Sequence, residues 1–222
     1  MNSAVRNFYK LIPDSLRPKY RNPHFKAHQI EVPFRMLVVG NSGSMKTNWV
    51  LNLIATMDST FDHIVLCTRN ADEPLYNFLK ARIPPGQLTI AEGMSEIPAL
   101  ETFVPGQQYL VIFDDLCLEK NQAQIAEYFI RGRKVAGGVS CIYISQSYFK
   151  IPKTVRINAS YIVLKKLSSG RDLHLILNEY NLGMSRRALH ELYLDITKVP
   201  EDGLLIDVTR QQFRRNFSLI HL

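Results

Sequence analysis

Several stretches of the chain are apolar at nearly every position. They are residues 35–39 (RMLVV), 63–67 (HIVLC), 109–113 (YLVIF), 139–145 (VSCIYIS) and 160–165 (SYIVLK). A strand with one wet face would alternate polar and apolar positions, so these runs predict strands buried on both faces. Residues 88–90 (LTI) predict a shorter strand of the same kind. Between the runs the period changes. Residues 46–57 place Val50, Leu53, Ile54 and Met57 at helical spacing, and further helices are expected over 73–81, 121–131, 171–179 and 185–195. Residues 204–208 (LLIDV) and 213–219 (FRRNFSL) suggest a closing pair of strands. Strands alternating with helices predict an α/β fold, a mainly parallel sheet covered on both faces. The first 30 residues, with Pro13, Pro18 and Pro23 and little periodicity, predict a basic N-terminal arm carrying at most a short helix. The domain proper is then 31–222.

One junction carries chemistry. The run 35–39 enters Gly40-Asn41-Ser42-Gly43-Ser44-Met45-Lys46-Thr47 and leaves into the first long helix. Strand, glycine-rich turn, Lys-Thr and helix form the context of a Walker A phosphate loop. Gly40 and Gly43 allow successive N–H groups to face an anion, and the helix N-terminus adds its dipole. Lys46 is placed to reach the β- and γ-phosphates and Thr47 to ligate Mg²⁺. The loop departs from the usual pattern at Met45, which stands where glycine normally precedes the lysine. A side chain there is expected to crowd the phosphates or strain the backbone, since non-glycine residues resist positive φ.

The run 109–113 ends in Asp114-Asp115. A parallel strand beside the phosphate loop would deliver both to the ligand-binding edge of the sheet. Asp114 is then the magnesium aspartate, and Asp115, aimed differently, orients or deprotonates the attacking water. The run 139–145 leads into Gln146, a candidate for touching the γ-phosphate or that water, with a loop cap as the alternative role. Arg131 and Arg133 precede it. Either could neutralise charge on a neighbouring subunit's ATP, or simply meet solvent or DNA.

Composition narrows the classes. Hydrophobic residues are 46% and charged residues 21% of 222, a globular balance. Mean hydropathy is −0.09, and no continuous apolar segment suits a signal or a membrane helix. Cys67, Cys117 and Cys141 are far apart and form no CxxC pair, so neither a zinc ribbon nor a disulfide framework is indicated, and a reducing compartment is favoured. The net charge is +7 and unevenly spread. Residues 1–30 hold six Lys/Arg against Asp14 alone, and residues 128–171 contain no acid while carrying Arg131, Arg133, Lys134, Lys150, Lys153, Arg156, Lys165, Lys166 and Arg171. Such stretches suit a polyanion, nucleic acid or a triphosphate, or else a solvated basic surface.

With these pieces in order, the sequence resembles the poxvirus-type DNA-packaging ATPases of large DNA viruses, virophages and related elements, in the FtsK–HerA class of P-loop motors. The matching segments are 32–47 (VPFRMLVVGNSGSMKT), 110–116 (LVIFDDL), 128–134 (YFIRGRK) and 144–161 (ISQSYFKIPKTVRINASY). The resemblance implies a RecA-like P-loop NTPase in a three-layer sandwich. It implies that Lys46 and Thr47 bind nucleotide, Asp114 holds magnesium, Asp115 is the catalytic acid and Gln146 the sensor. Arg133 falls on a Gly-Arg-basic element as the preferred arginine finger, and Arg156, in an Arg-x-Asn pattern with Asn158, is a second candidate. It further implies ATP and Mg²⁺ as cofactors and a homo-oligomeric ring on a capsid vertex, pumping double-stranded DNA inward in the host cytoplasm or viral factory, with no membrane partner. Two other classes stay open. A nucleotide kinase would need a lid with its own arginines, and a degenerate nucleotide-binding adaptor has Met45 in its favour.

Overall fold

A computed structural model describes residues 5–220. Nine strands form one sheet in the order β3-β2-β4-β5-β1-β6-β7-β8-β9. Their spans are β1 Arg35–Val39, β2 His63–Thr68, β3 Leu88–Glu92, β4 Tyr109–Asp114, β5 Val139–Ser145, β6 Tyr161–Leu164, β7 Leu204–Asp207, β8 Gln212–Arg215 and β9 Ser218–Leu219. The strands from β3 to β6 in that order are parallel; β7, β8 and β9 are antiparallel. The expected α/β sandwich is therefore present. The closing pair needs one correction. Residues 213–219 do not run as one strand, because Asn216 adopts φ 54° and turns the chain between β8 and β9.

Each central strand is apolar throughout because it feeds two cores. Met36 and Val38 of β1 join Leu110, Ile112, Ile142 and Ile144 on one face. There they meet Trp49, Val50 and Leu53 of α2 (Lys46–Thr56) and Tyr76 of α3 (Pro74–Arg82). Leu37 and Val39 join Val111, Phe113 and Tyr143 on the other face. That layer is closed by α4 (Ala123–Arg131), α5 (Lys153–Arg156), α6 (Gly170–Glu179) and α7 (Arg186–Ile196), through side chains such as Phe129, Val155, Ile176 and Tyr193. Alternation along each strand splits one apolar run between two layers.

The segment before β1 is tied to this body from about residue 20 onward. The Arg21 guanidinium pairs with Asp62 at 2.7 Å, and the Gln108 side chain donates to Arg21 O at 3.0 Å. The short α1 (Phe25–His28) leads to a buried anchor, in which Arg214 pairs with Asp207 at 3.0 Å and donates to Gln29 O at 3.0 Å. Among the described residues before this point, Phe8, Tyr9, Leu11 and Leu16 are exposed.

His28 is fully buried in that anchor and its Nδ1 accepts from Ile30 N at 3.0 Å. Burial, with help from nearby His24 and Arg214, pulls its imidazole down to about 4. The native state thus keeps His28 neutral at pH values where the unfolded chain protonates it. Its contribution is complete above the unfolded value near 6.5 and is lost as pH falls toward 4. Denaturant unfolding should show a loss of about 2 kcal/mol between pH 7 and pH 5 that is absent from a His28→Gln variant. An equal pH slope in both proteins would assign the effect elsewhere.

Candidate nucleotide-binding site

The loop between β1 and α2 folds as the motif requires. A Cβ on Gly40 would come within 2.5 Å of Lys165 Cβ and Ser44 Oγ, so only glycine fits where the turn passes β6. Gly43 turns the chain at φ 72°. The first helical bond of α2 runs from Trp49 N to Met45 O at 3.0 Å. The N–H groups of Met45 to Asn48 therefore lack acceptors within the helix and suit an anion. Lys46 Nζ donates to Asn41 O at 2.7 Å, a bond that a phosphate oxygen would replace.

Met45 sits in the left-handed region, φ 62° and ψ 33°, as the N-cap of α2. The strain foreseen from its identity is thus real, about 1–2 kcal/mol for a non-glycine residue. Its side chain faces the cleft and is 36% exposed. Met45→Gly relieves that strain and loses about 0.4–1 kcal/mol to the more flexible unfolded chain. The melting temperature should therefore stay within a few degrees and ATP turnover should hold or rise. A collapse of turnover would show that the thioether has a role of its own.

A cleft of ≈ 410 Å³ opens over this loop, lined by Ser42, Gly43, Met45, Lys46, Thr47, Glu73, Asp114, Asp115 and Gln146 among others. The sequence placed β4 beside the loop strand. The structure instead inserts β5 between β1 and β4. That order puts Gln146, at the end of β5, between the loop and the acids. Two features hold the Gln146 turn. Ser145 Oγ donates to Ser147 O at 2.9 Å, and buried Asp172 accepts from Tyr148 N and Phe149 N, both at 3.1 Å.

Asp114 ends β4 nearly buried, whereas Asp115 is exposed at φ 55°, so the two carboxylates part company at the turn. Burial pushes the Asp114 carboxyl up to about 6, against the pull of the Tyr76 hydroxyl and Lys46 and with the aid of Glu73 and Asp115. Burial lowers the Lys46 ammonium, opposed by Asp114, Asp115 and Glu73. The cleft thus gathers one cation, the hydroxyls of Ser42, Thr47 and Ser145, and three carboxylates in a half-dry setting.

Not every expected residue reaches it. Asn41 and Ser44 face a second hollow of ≈ 220 Å³ behind the loop, with Lys166, Thr197, Val199 and Asp202; it shares Ser42 and Gly43 with the main cleft. Asn41 Oδ1 accepts from Ser168 N at 2.8 Å, fastening the loop to the segment after β6. Gly40 lines neither space. Arg133 is exposed in the turn after α4, next to Gly132, which packs against Val139 at the start of β5. It therefore lies at the sheet edge opposite its own loop. Arg156 is held within its own chain: its Nε donates to Ile151 O at 3.1 Å, it pairs with Glu179 at 3.3 Å, and it stacks on Tyr148 at 4.8 Å.

The acid-free stretch 128–171 is not one basic face either. Lys165 is buried, with Nζ donating to Pro200 O, Glu201 O and Asp202 O at 2.8, 2.8 and 2.6 Å. Arg131 pairs with Glu101 and Glu127. Carbonyls and acids outside the stretch engage charges that a linear reading leaves bare. Sequence reasoning also missed Glu73 and Tyr76. The polar loop after β2 was a signal for Glu73, since parallel strands end at one edge; Tyr76 had none beyond its apolar helix face.

Residues 22–80, which contain the phosphate loop, match the family model described as "Poxvirus A32 protein". The DNA packaging protein OPG160 of vaccinia virus (strain Western Reserve) is 26% identical over 149 residues, covering 60% of this chain and 53% of that protein. Over this stretch the chain is similar to the poxvirus DNA-packaging proteins. The OPG160 of variola virus matches to the same extent, so the chain spans about half the length of these curated relatives. The genome packaging NTPase B204 from Sulfolobus turreted icosahedral virus 2, solved with ATP-gammaS, superposes with a TM-score of 0.59 at 14% identity, over 86% of this chain and 100% of that one. The cytoplasmic domain of the type VII secretion ATPase EccC from Thermomonospora curvata gives 0.55 at 14% identity, over 84% of this chain and 25% of that one. These likenesses give the P-loop ATPase fold, and the resemblance to poxvirus packaging proteins read from the motifs is matched by the similarity found.

Proposed function

We propose that this chain is an ATP-hydrolysing motor subunit that translocates double-stranded DNA into a preformed capsid. The observation that carries this reading is the single cleft where Lys46, Thr47, Asp114, Asp115 and Gln146 converge although the chain separates them widely. The relatives named as DNA-packaging proteins supply its biological direction. The triphosphate would lie along Ser42 to Thr47, with the nucleoside in the second hollow that shares Ser42 and Gly43.

Magnesium fits the donor set. Thr47 and the carboxylates offer hard oxygens, and among the described residues no group of three or more His, Cys, Asp or Glu could cage a metal alone. An ion held by one or two side chains and completed by phosphate oxygens and water is the preference of Mg²⁺. Bound there with Thr47 and Asp114, it would neutralise charge on the phosphates. Asp115 would then hold or deprotonate the attacking water, with Gln146 against the γ-phosphate.

The division into a basic arm (1–30) and an ATPase domain (31–222), the homo-oligomeric ring, the capsid-vertex partner and residence in host cytoplasm or viral factory, with association to the virion, belong to the same proposal. Arg133 fits a ring, since an exposed arginine at the edge opposite its own loop does not reach its own nucleotide and is open to a neighbour's. Arg156 is the weaker finger, because Glu179 and Tyr148 already engage it. Mixing Arg133→Ala with Lys46→Ala subunits should restore part of the ATP turnover that each lacks alone, at interfaces pairing an intact loop with an intact finger. No recovery at any ratio would remove Arg133 from the site.

The whole reading is tested by ATP turnover with and without duplex DNA. Stimulation by DNA is expected. Phosphate transfer to a nucleoside monophosphate would favour a kinase, and no turnover in the assembled wild type would favour an adaptor.

A further inference from the structure

The first turn of α3 forms a wall of the cleft that the motifs do not mention. Tyr76 is 2% exposed, its ring fixed among the side chains between the sheet and α2. Its hydroxyl donates to Asp114 Oδ2, and Thr47 approaches the same phenolic oxygen. The phenol thus stands between the two residues assigned to the metal.

We propose that Tyr76 is a positioning residue of the magnesium site. By donating to one carboxylate oxygen it sets the rotamer of Asp114 and leaves the other oxygen for metal-bound water. Thr47 lies beside the same phenol, so one rigid ring stands against both groups. Without the hydroxyl, Asp114 would be a nearly buried carboxylate whose orientation nothing in the cleft enforces. Outer-shell partners of this kind typically govern metal affinity by about 10–100-fold. The inference rests on the reading of the cleft as a magnesium–nucleotide site and adds a residue to it.

The test uses the full chain and a non-hydrolysable ATP analogue, with affinity measured by calorimetry in EDTA and across a magnesium titration. Tyr76→Phe removes one oxygen. It should leave the affinity in EDTA within about twofold and raise the magnesium midpoint about tenfold. A folded Tyr76→Phe protein with the wild-type midpoint overturns the proposal, since a merely structural tyrosine would not separate the two readings. Should that variant fail to fold, 3-fluorotyrosine at position 76 keeps the ring and hydroxyl. Its fluorine resonance should move when magnesium joins the nucleotide-bound protein, and a resonance indifferent to the metal overturns the proposal. A wild-type affinity that ignores magnesium would instead overturn the reading of the cleft, and this inference with it.

Discussion

Lys46→Ala should all but abolish nucleotide binding, raising the dissociation constant for ATP by at least about thirtyfold. The ammonium is half-buried at the cleft floor and among the lining side chains it supplies the positive charge. Removing one partner of a desolvated charge pair costs roughly 2–5 kcal/mol, which is about thirty- to several-thousandfold in affinity. Stability should change far less than affinity, because in the free protein the ammonium makes a single hydrogen bond, to Asn41 O, beside the carboxylates of the cleft. Calorimetric titration with ATP, beside a thermal melt, reads both quantities. Binding retained within threefold would mean that the triphosphate does not use this loop.

Asp115→Asn is expected to separate binding from chemistry. Its side chain is exposed at the cleft mouth and has left the direction of Asp114 through the turn at φ 55°. Neither the loop amides nor the metal position depends on it, so affinity for ATP should stay within about threefold. A positioned base typically contributes 10²–10⁴ in rate, and turnover should fall by about that range. Turnover within tenfold of wild type would transfer the role to another acid, with Glu73 the remaining carboxylate in the cleft besides Asp114.

The difference between these two variants rests on geometry that the sequence only partly disclosed. Strands β1, β2, β4 and β5 were readable because each is buried on both faces and so is apolar at nearly every position. The phosphate loop was readable because its chemistry is contiguous: glycines, Lys46 and Thr47 lie within eight residues. Even the cost of Met45 followed from its identity and was met at φ 62°. What stayed hidden came from packing at long range. No local pattern tells that β5 inserts between β1 and β4, since either order buries the same apolar strands. Asp172 reads as one more helix residue until it is seen holding the two amides beyond Gln146. Lys165 counts as surface charge until three carbonyls of the 200–202 segment are found around its ammonium. Tyr76 reads as an ordinary core aromatic, and only the fold turns its hydroxyl onto Asp114.

The most direct trial of the nucleotide site is a structure of the protein with magnesium and a non-hydrolysable ATP analogue. The β- and γ-phosphates are expected in the turn from Ser42 to Thr47. Lys46 should leave Asn41 O for them, and the metal should sit between the Thr47 hydroxyl and Asp114. Nucleotide bound away from that turn, or phosphates in it with Lys46 still on Asn41 O and no ion near Asp114, would contradict the assignment.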